Sequence, residues 1–160
     1  MPNLKDKFKY GDVILFKPTG GWFSRLISEI DGSEYSHAAI FWKYEHGVPL
    51  FIESHESKGG VVITQLQEWG NFDVFRPNAL IPRPEKEMLK MVGSRYDYSL
   101  LWWILKSKLK GRKTQNNDDK EVICSELVDK CYYYCLGDGY VCTPKTISDL
   151  VKYKIFTQII

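Results

Sequence analysis

The spacing of apolar residues changes period at a cluster of prolines, Pro77, Pro82 and Pro84, and this change constrains the fold more than any other feature of the chain. Before the cluster, apolar residues come in short runs broken by turn formers. Asp12-Val-Ile-Leu-Phe16 follows Gly11, and His37-Ala-Ala-Ile-Phe-Trp42 follows a polar Gly-Ser-Glu-Tyr-Ser stretch. Leu50-Phe-Ile-Glu-Ser54 follows the turn sequence Glu45-His-Gly-Val-Pro, Val61-Val-Ile-Thr64 follows Lys58-Gly-Gly60, and Asp73-Val-Phe-Arg76 closes the series. Runs this short, bounded by glycine, proline and polar clusters, read as strands, and the 45–49 turn makes the second and third a hairpin. One interruption is helical: between Gly21 and Ile30, Trp22, Leu26, Ile27 and Ile30 recur at the spacing of one helix face.

After the prolines the pattern is helical. The spacing predicts helices from about Glu85 to Val92, from Leu100 to Leu109 and from Glu121 to Tyr134, the last with Leu127, Val128, Cys131 and Tyr132 on its apolar stripe. A final short helix runs from Thr143-Pro144 to about Tyr153, because threonine caps a helix start well and proline suits its first position. Gln115 to Lys120 is polar and reads as a loop. A meander of strands followed by helices implies an α+β domain. No repeat or compositional break divides the 160 residues, so one domain over 1–160 is expected.

Charge narrows the function classes. A net charge of +2 without a basic stripe gives no nucleic-acid footprint. The longest strongly apolar stretch, around Leu100 to Leu105, is too short to span a bilayer, and the first residues carry no apolar leader. A reducing cytoplasm is therefore the default location, with Cys124, Cys131, Cys135 and Cys142 as thiols. The basic run Lys106 to Lys113 reads as a solvated helix end. With Tyr98, Leu101, Trp102 and Trp103 beside it, membrane contact is the alternative, although the same aromatics would equally serve as core.

Three residues carry candidate chemistry. Cys124, in Val122-Ile-Cys-Ser-Glu-Leu-Val128, falls near the start of a predicted helix, where the helix dipole favours a thiolate and main-chain N–H groups can receive an oxyanion. His37 opens a strand and could take a proton from a thiol, and Glu53 on the partner strand could hold the other ring nitrogen. Each also has an ordinary reading: a buried cysteine, a histidine satisfied by a carbonyl, a solvent-facing carboxylate. No metal is expected. Cys131 and Cys135 lack a partner pair at zinc-ligand spacing, and His46 and His55 fall in turn sequences, where exposed histidines are ordinary.

Four short segments change the weighing. Gly11-Asp-Val-Ile-Leu-Phe16, Ser36-His-Ala-Ala-Ile40, Gly93-Ser-Arg-Tyr96 and Cys124-Ser-Glu-Leu-Val128 resemble the motifs of NlpC-type cell-wall peptidases in rotated order. The rotation, Cys-Ser-Glu in place of Cys-Ser-Gly, the acid after the histidine strand and Thr143-Pro144 are similar to the permuted branch that includes YiiX-like proteins. The resemblance runs from about residue 11 to 145, and departs from the family at Arg95, where a proline is usual, and in the 106–120 insert.

That resemblance implies a circularly permuted papain-like fold, an antiparallel sheet or barrel packed against helices. It implies a cysteine peptidase or amidase with Cys124 as nucleophile, His37 as base and Glu53 orienting the base. Tyr96 and Ser125 would contact substrate or the oxyanion, and no cofactor is implied. The expected substrates are small peptides or peptidoglycan fragments, with lipid-like acyl compounds as the alternative on the same fold and a non-catalytic binding module as another.

Overall fold

β1 (Val13–Phe16) is buried along its whole length, which a strand of four consecutive apolar residues requires. In the computed structural model, which describes residues 7–19, 22–65, 71–79, 82–102, 106, 120–132 and 142–159, both edges of β1 are occupied. β2 (His37–Glu45) pairs on one side and β5 (Phe72–Pro77) on the other, both antiparallel. β3 (Val48–His55) and β4 (Gly60–Gln65) extend the sheet beyond β2, and β6 (Phe156–Gln158) borders β5. The order is β4-β3-β2-β1-β5-β6. Among the described residues this is an open antiparallel sheet rather than a barrel.

Both faces of the sheet are covered, and the alternation along each strand sorts its residues between them. Val13 and Leu15, Ala38 and Ile40, Ile52 and Phe75 join the larger core. The helices that close this core are α2 (Glu85–Leu89), α4 (Cys124–Cys131) and α5 (Pro144–Asp149), through Met88, Leu127 and Ile147. Ile14, Phe16, Ala39, Phe41 and Phe51 point the other way, where Phe8 stacks on Phe41 and meets Phe51 edge-on, each at 5.4 Å. α1 (Trp22–Asp31) and the helical turn α3 (98–102) pack beside the sheet through Ile27, Leu100 and Leu101.

Several elements differ from their sequence-based bounds for identifiable reasons. α2 stops at Leu89, and the chain turns through Gly93 at φ +94°. Residues 121–123 are extended instead of helical, because Val122 donates to the Arg95 carbonyl at 2.8 Å, and α4 starts at Cys124. α3 begins at 98, two residues early, since Asp97 accepts the Leu100 N–H at 2.7 Å and caps it. β6 is too short to leave a pattern. The expected helical residues 103–105, 107–109 and 133–134, and the loop at 115–119, lie outside the described residues. Tyr98 and Trp102 are 51 % and 63 % exposed, so a core role for them is corrected, while Leu101 between them is buried. Among the described residues no helix is long and apolar enough to cross a membrane.

The Gly11-Asp12 pair is structural. Asp12 is fully buried and takes two bonds from Arg76, at 2.9 Å from Nε and 2.7 Å from Nη2, which lock β1 to β5. Gly11 has φ +86°, and a Cβ there would sit 2.8 Å from Pro82 Cγ and 2.9 Å from the Tyr132 hydroxyl. That hydroxyl donates to the Gly11 carbonyl and fastens the end of α4 to the start of β1. Gly11→Ala therefore adds overpacking to left-handed strain and should lower unfolding free energy by about 3 kcal/mol. Gly32→Ala, at φ +62° in open space, meets strain alone and should cost about 1 kcal/mol. Urea denaturation of the two variants separates the terms; equal losses would show that the contact with Pro82 and Tyr132 contributes nothing.

Candidate active site

The site lies where β1 ends and β2 begins. His37, the first residue of β2, pairs with Phe16, the last of β1, and their rings are 5.7 Å apart. The β2–β3 hairpin closes through a two-residue turn, His46-Gly47, both at positive φ (51° and 80°). From that turn the register is Glu45 opposite Val48 and Lys43 opposite Leu50. A bulge at Trp42 then shifts it by one, so that Phe41 faces Phe51 and Ala39 faces Glu53. Without the bulge Glu53 would stand opposite Ile40, on the face that His37 does not share. With it, Glu53 is the diagonal neighbour of His37, and His55 comes directly across from His37.

The resulting contacts are close. Glu53 is fully buried and its Oε2 lies 2.7 Å from His37 Nε2. The Cys124 thiol is the second group that acts on the imidazole. Burial works against a charge on His37, yet the facing Cys124 and the Glu53 carboxylate outweigh it and raise the imidazole to about 10. Burial likewise opposes ionisation of Glu53, but His37, with His55 and Lys58 further off, holds its carboxyl below the usual range.

Cys124 is the first residue of α4, with its side chain just inside the surface at 7 % exposure. Ile123 before it is extended, and its N–H points to Glu126 Oε2 at 3.4 Å. Burial pushes Glu126 up to about 7 in spite of Lys130, 3.7 Å away. The segment leading into Cys124 is held from two sides. Ser54, on the opposite face of β3 from Glu53, donates from Oγ to the Val122 carbonyl at 2.5 Å. Isolated bridges join Gly60 to Arg95 and Arg95 to Glu121, and Tyr96 donates its N–H to the Gly59 carbonyl at 2.9 Å. These bridges bring Tyr96 beside Cys124: burial first, and the Cys124 charge second, raise the phenol well above its ordinary value, so it remains a donor.

A small cleft of about 40 Å³, open to solvent, lies over Cys124 and Tyr96. Its walls are apolar: Ile27 and Ile30 of α1, Leu101 of α3, Ile123 and Pro144. Ser36, Ser125, Thr143 and Asp31 supply the polar edge. The Ser125 hydroxyl donates to the Cys142 carbonyl at 2.7 Å, and Asp31 accepts the Lys145 N–H at 2.9 Å, so both also hold the 142–145 segment in place. Thr143 caps α5 from there, accepting the Thr146 N–H at 3.3 Å.

Cys124, His37, Glu53 and Tyr96 are thus gathered at one place, with Ser125 at its edge. Cys131 is buried in the larger core with its thiol pushed up to about 12 by burial, Cys142 is buried, and Cys135 lies outside the described residues. Sequence reasoning left His55 in a solvent-exposed turn. It ends β3, and its ring meets that of His37 edge-on at 5.4 Å. Counting register from the His46-Gly47 turn could not find it, because the bulge moves every pair by one.

No family model matches the sequence, and no curated protein matches it at a significant level. Among solved structures the chain is similar to the crystal structure of metalloprotein YiiX from Escherichia coli O157:H7. The two are 20 % identical, the match covers 95 % of this chain and 96 % of that one, and the TM-score is 0.58. Among the described residues, no group of three or more His, Cys, Asp or Glu side chains is arranged to hold a metal ion. At this identity the likeness is one of fold: the chain has a YiiX-like fold, a mixed α/β arrangement of an antiparallel sheet with helices.

Proposed function

We propose that this protein is a thiol hydrolase in which Cys124, His37 and Glu53 act as nucleophile, base and orienting acid on an amide or ester carbonyl. The observation that carries this reading is the buried Glu53 carboxylate 2.7 Å from His37 Nε2, with Cys124 at a helix start acting on the same imidazole. Cys124 Sγ adds to the carbonyl carbon, and the oxyanion is received by the Cys124 N–H and the Tyr96 hydroxyl. The C–N or C–O bond then breaks as His37 gives its proton to the leaving amine or alcohol. Water attacks the thioester, His37 takes a proton from it, and Cys124 is released with a carboxylic acid as product. Glu53 holds one tautomer and orientation of the ring throughout.

A specific observation bears on the substrate. The cleft beside Cys124 is walled by isoleucine, leucine and proline, which suits an apolar acyl group better than a charged peptide. A short peptide or cell-wall fragment with an apolar residue at the scissile carbonyl would use the same walls. The acyl-ester reading is favoured by their composition.

Cys124→Ala should abolish turnover of a panel of dipeptides and short acyl esters without changing the circular dichroism spectrum; residual turnover at the wild-type rate would remove Cys124 from the chemistry. In the wild type, iodoacetamide at neutral pH should alkylate Cys124 well before Cys131, as peptide mapping would show. If the walls bind an acyl chain, kcat/KM for esters should rise about fourfold per added methylene until the cleft is filled. A flat series would favour the peptide reading.

The ion pair also predicts the pH dependence of stability. The raised proton affinity of His37 contributes stability that is fully present below about pH 6.5 and is lost as pH rises through about 10. Urea midpoints should therefore fall across that window in the wild type. The slope should be shallower in Glu53→Gln, which removes one of the interactions that raise the imidazole, and equal slopes would deny the coupling.

A further inference from the structure

Glu53 has two carboxylate oxygens, and the chemistry above uses one. Oε1 is buried and has no hydrogen-bond partner among the described residues, although leaving a buried charged oxygen unmatched is costly. The ammonium of Lys58 lies within ion-pair reach, its Nζ 3.6 Å from Oε1 while its side chain stays 46 % exposed. Lys58 is held there by a built turn. β3 ends at His55, and a 3₁₀ turn spans Glu56–Lys58. His55 Nδ1 accepts the Ser57 N–H at 3.2 Å and lies 3.0 Å from Ser57 Oγ, and Gly59 closes the turn in the left-handed region at φ +76°. The Tyr98 hydroxyl donates to the Glu56 carbonyl at 2.7 Å, so α3 braces the turn from outside.

We propose that Lys58 is a positioning residue for the Glu53–His37 pair: presented by the 55–59 turn, its ammonium holds the second oxygen of Glu53 and tunes how firmly His37 keeps its proton. This rests on the proposed hydrolase reading only for its catalytic consequence. An ordinary surface lysine on a turn would point to solvent, whereas this one points inward to the one carboxylate oxygen that the hydrogen bonds leave out. The charged and titratable groups facing the pair are Lys58, His55, Glu56 and Cys124. Burial is the main influence that lowers His55 below its ordinary value, and Lys58 supplies the ammonium that faces Glu53 Oε1. Removing Lys58 leaves Glu53 with His37 as its one close counter-charge, so the whole carboxylate acts on the imidazolium. The proton affinity of His37 should rise.

The test is an NMR titration of the histidine rings in a Cys124→Ala background, where no thiol titrates against His37 and no catalysis is needed. Lys58→Met should raise the proton affinity of His37 about threefold, the scale of a half-solvated ion pair. Lys58→Arg should restore the original midpoint. In a Glu53→Gln background the Lys58→Met effect should largely vanish, since the route through the carboxylate is gone. An unmoved midpoint in Lys58→Met, or the same rise with Glu53 already replaced, would overturn the proposal. Loss of hydrolysis as a function would leave this titration untouched, so the two readings fail separately. If both hold, Lys58→Met in the otherwise native enzyme should shift the alkaline limb of kcat/KM upward in pH, a change that mere loosening of the turn would not make.

Discussion

A fully buried carboxylate is tolerated only when opposite charge and hydrogen bonds reach it, and the arrangement around Glu53 follows from that requirement. Glu53 sits in the middle of the hairpin formed by β2 and β3, where both neighbours along the strand are also buried. What reaches it is His37 from across the hairpin and Lys58 from the turn that follows β3. The one-residue bulge at Trp42 makes the first contact possible, because it turns Glu53 to the side of the sheet that His37 occupies. A regular hairpin with the same turn would bury Glu53 among isoleucines with no counter-charge.

The strand that carries the carboxylate also positions the thiol. Successive residues of β3 face opposite ways, and Glu53 and Ser54 use that alternation for two different tasks. Glu53 turns to His37, while Ser54 turns to the Val122 carbonyl, two residues before Cys124. His37, through Glu53, and the segment that leads into Cys124, through Ser54, are therefore both tied to one strand. The bridges among Gly60, Arg95 and Glu121 add a second fixed edge to the same segment and bring Tyr96 with it. A site built on strand and helix termini in this way keeps its geometry without relying on substrate.

How far the sequence could be read follows from which interactions are local. Strand and helix positions depend on apolar spacing within a few residues, and β1 to β5, α1 and α5 were legible for that reason. The resemblance in motif order singled out Cys124, His37 and Glu53, which no residue-level signal would have separated from ordinary burial. Illegible were features that depend on one extra residue or on partners far along the chain. The bulge at Trp42 has no sequence mark of its own, and with register unknown, His55 could not be matched to His37. The extended stretch before Cys124 reads as helix locally and is pulled straight by Arg95. Ser125 shows the reverse: a residue next to Cys124, whose hydroxyl is committed to the Cys142 carbonyl and so contributes by holding the cleft wall.

The same set of residue types, histidine, cysteine and carboxylate, can hold a metal ion, and the hydrogen bonding here bears on that alternative. A metal ligand must offer a lone pair, and a histidine ligand offers one ring nitrogen while the other is held by a partner. In this site His37 turns Nε2 to the Glu53 carboxylate, and Cys124 acts on the same ring. His55 turns its Nδ1 to the Ser57 N–H, in service of the turn that carries Lys58. A cation would have to displace either the carboxylate or the thiol from His37, and would meet the Lys58 ammonium beside the remaining oxygen of Glu53. With Nε2 of His37 and Nδ1 of His55 both engaged and an ammonium beside Glu53 Oε1, this arrangement among the described residues does not suit closing around an ion.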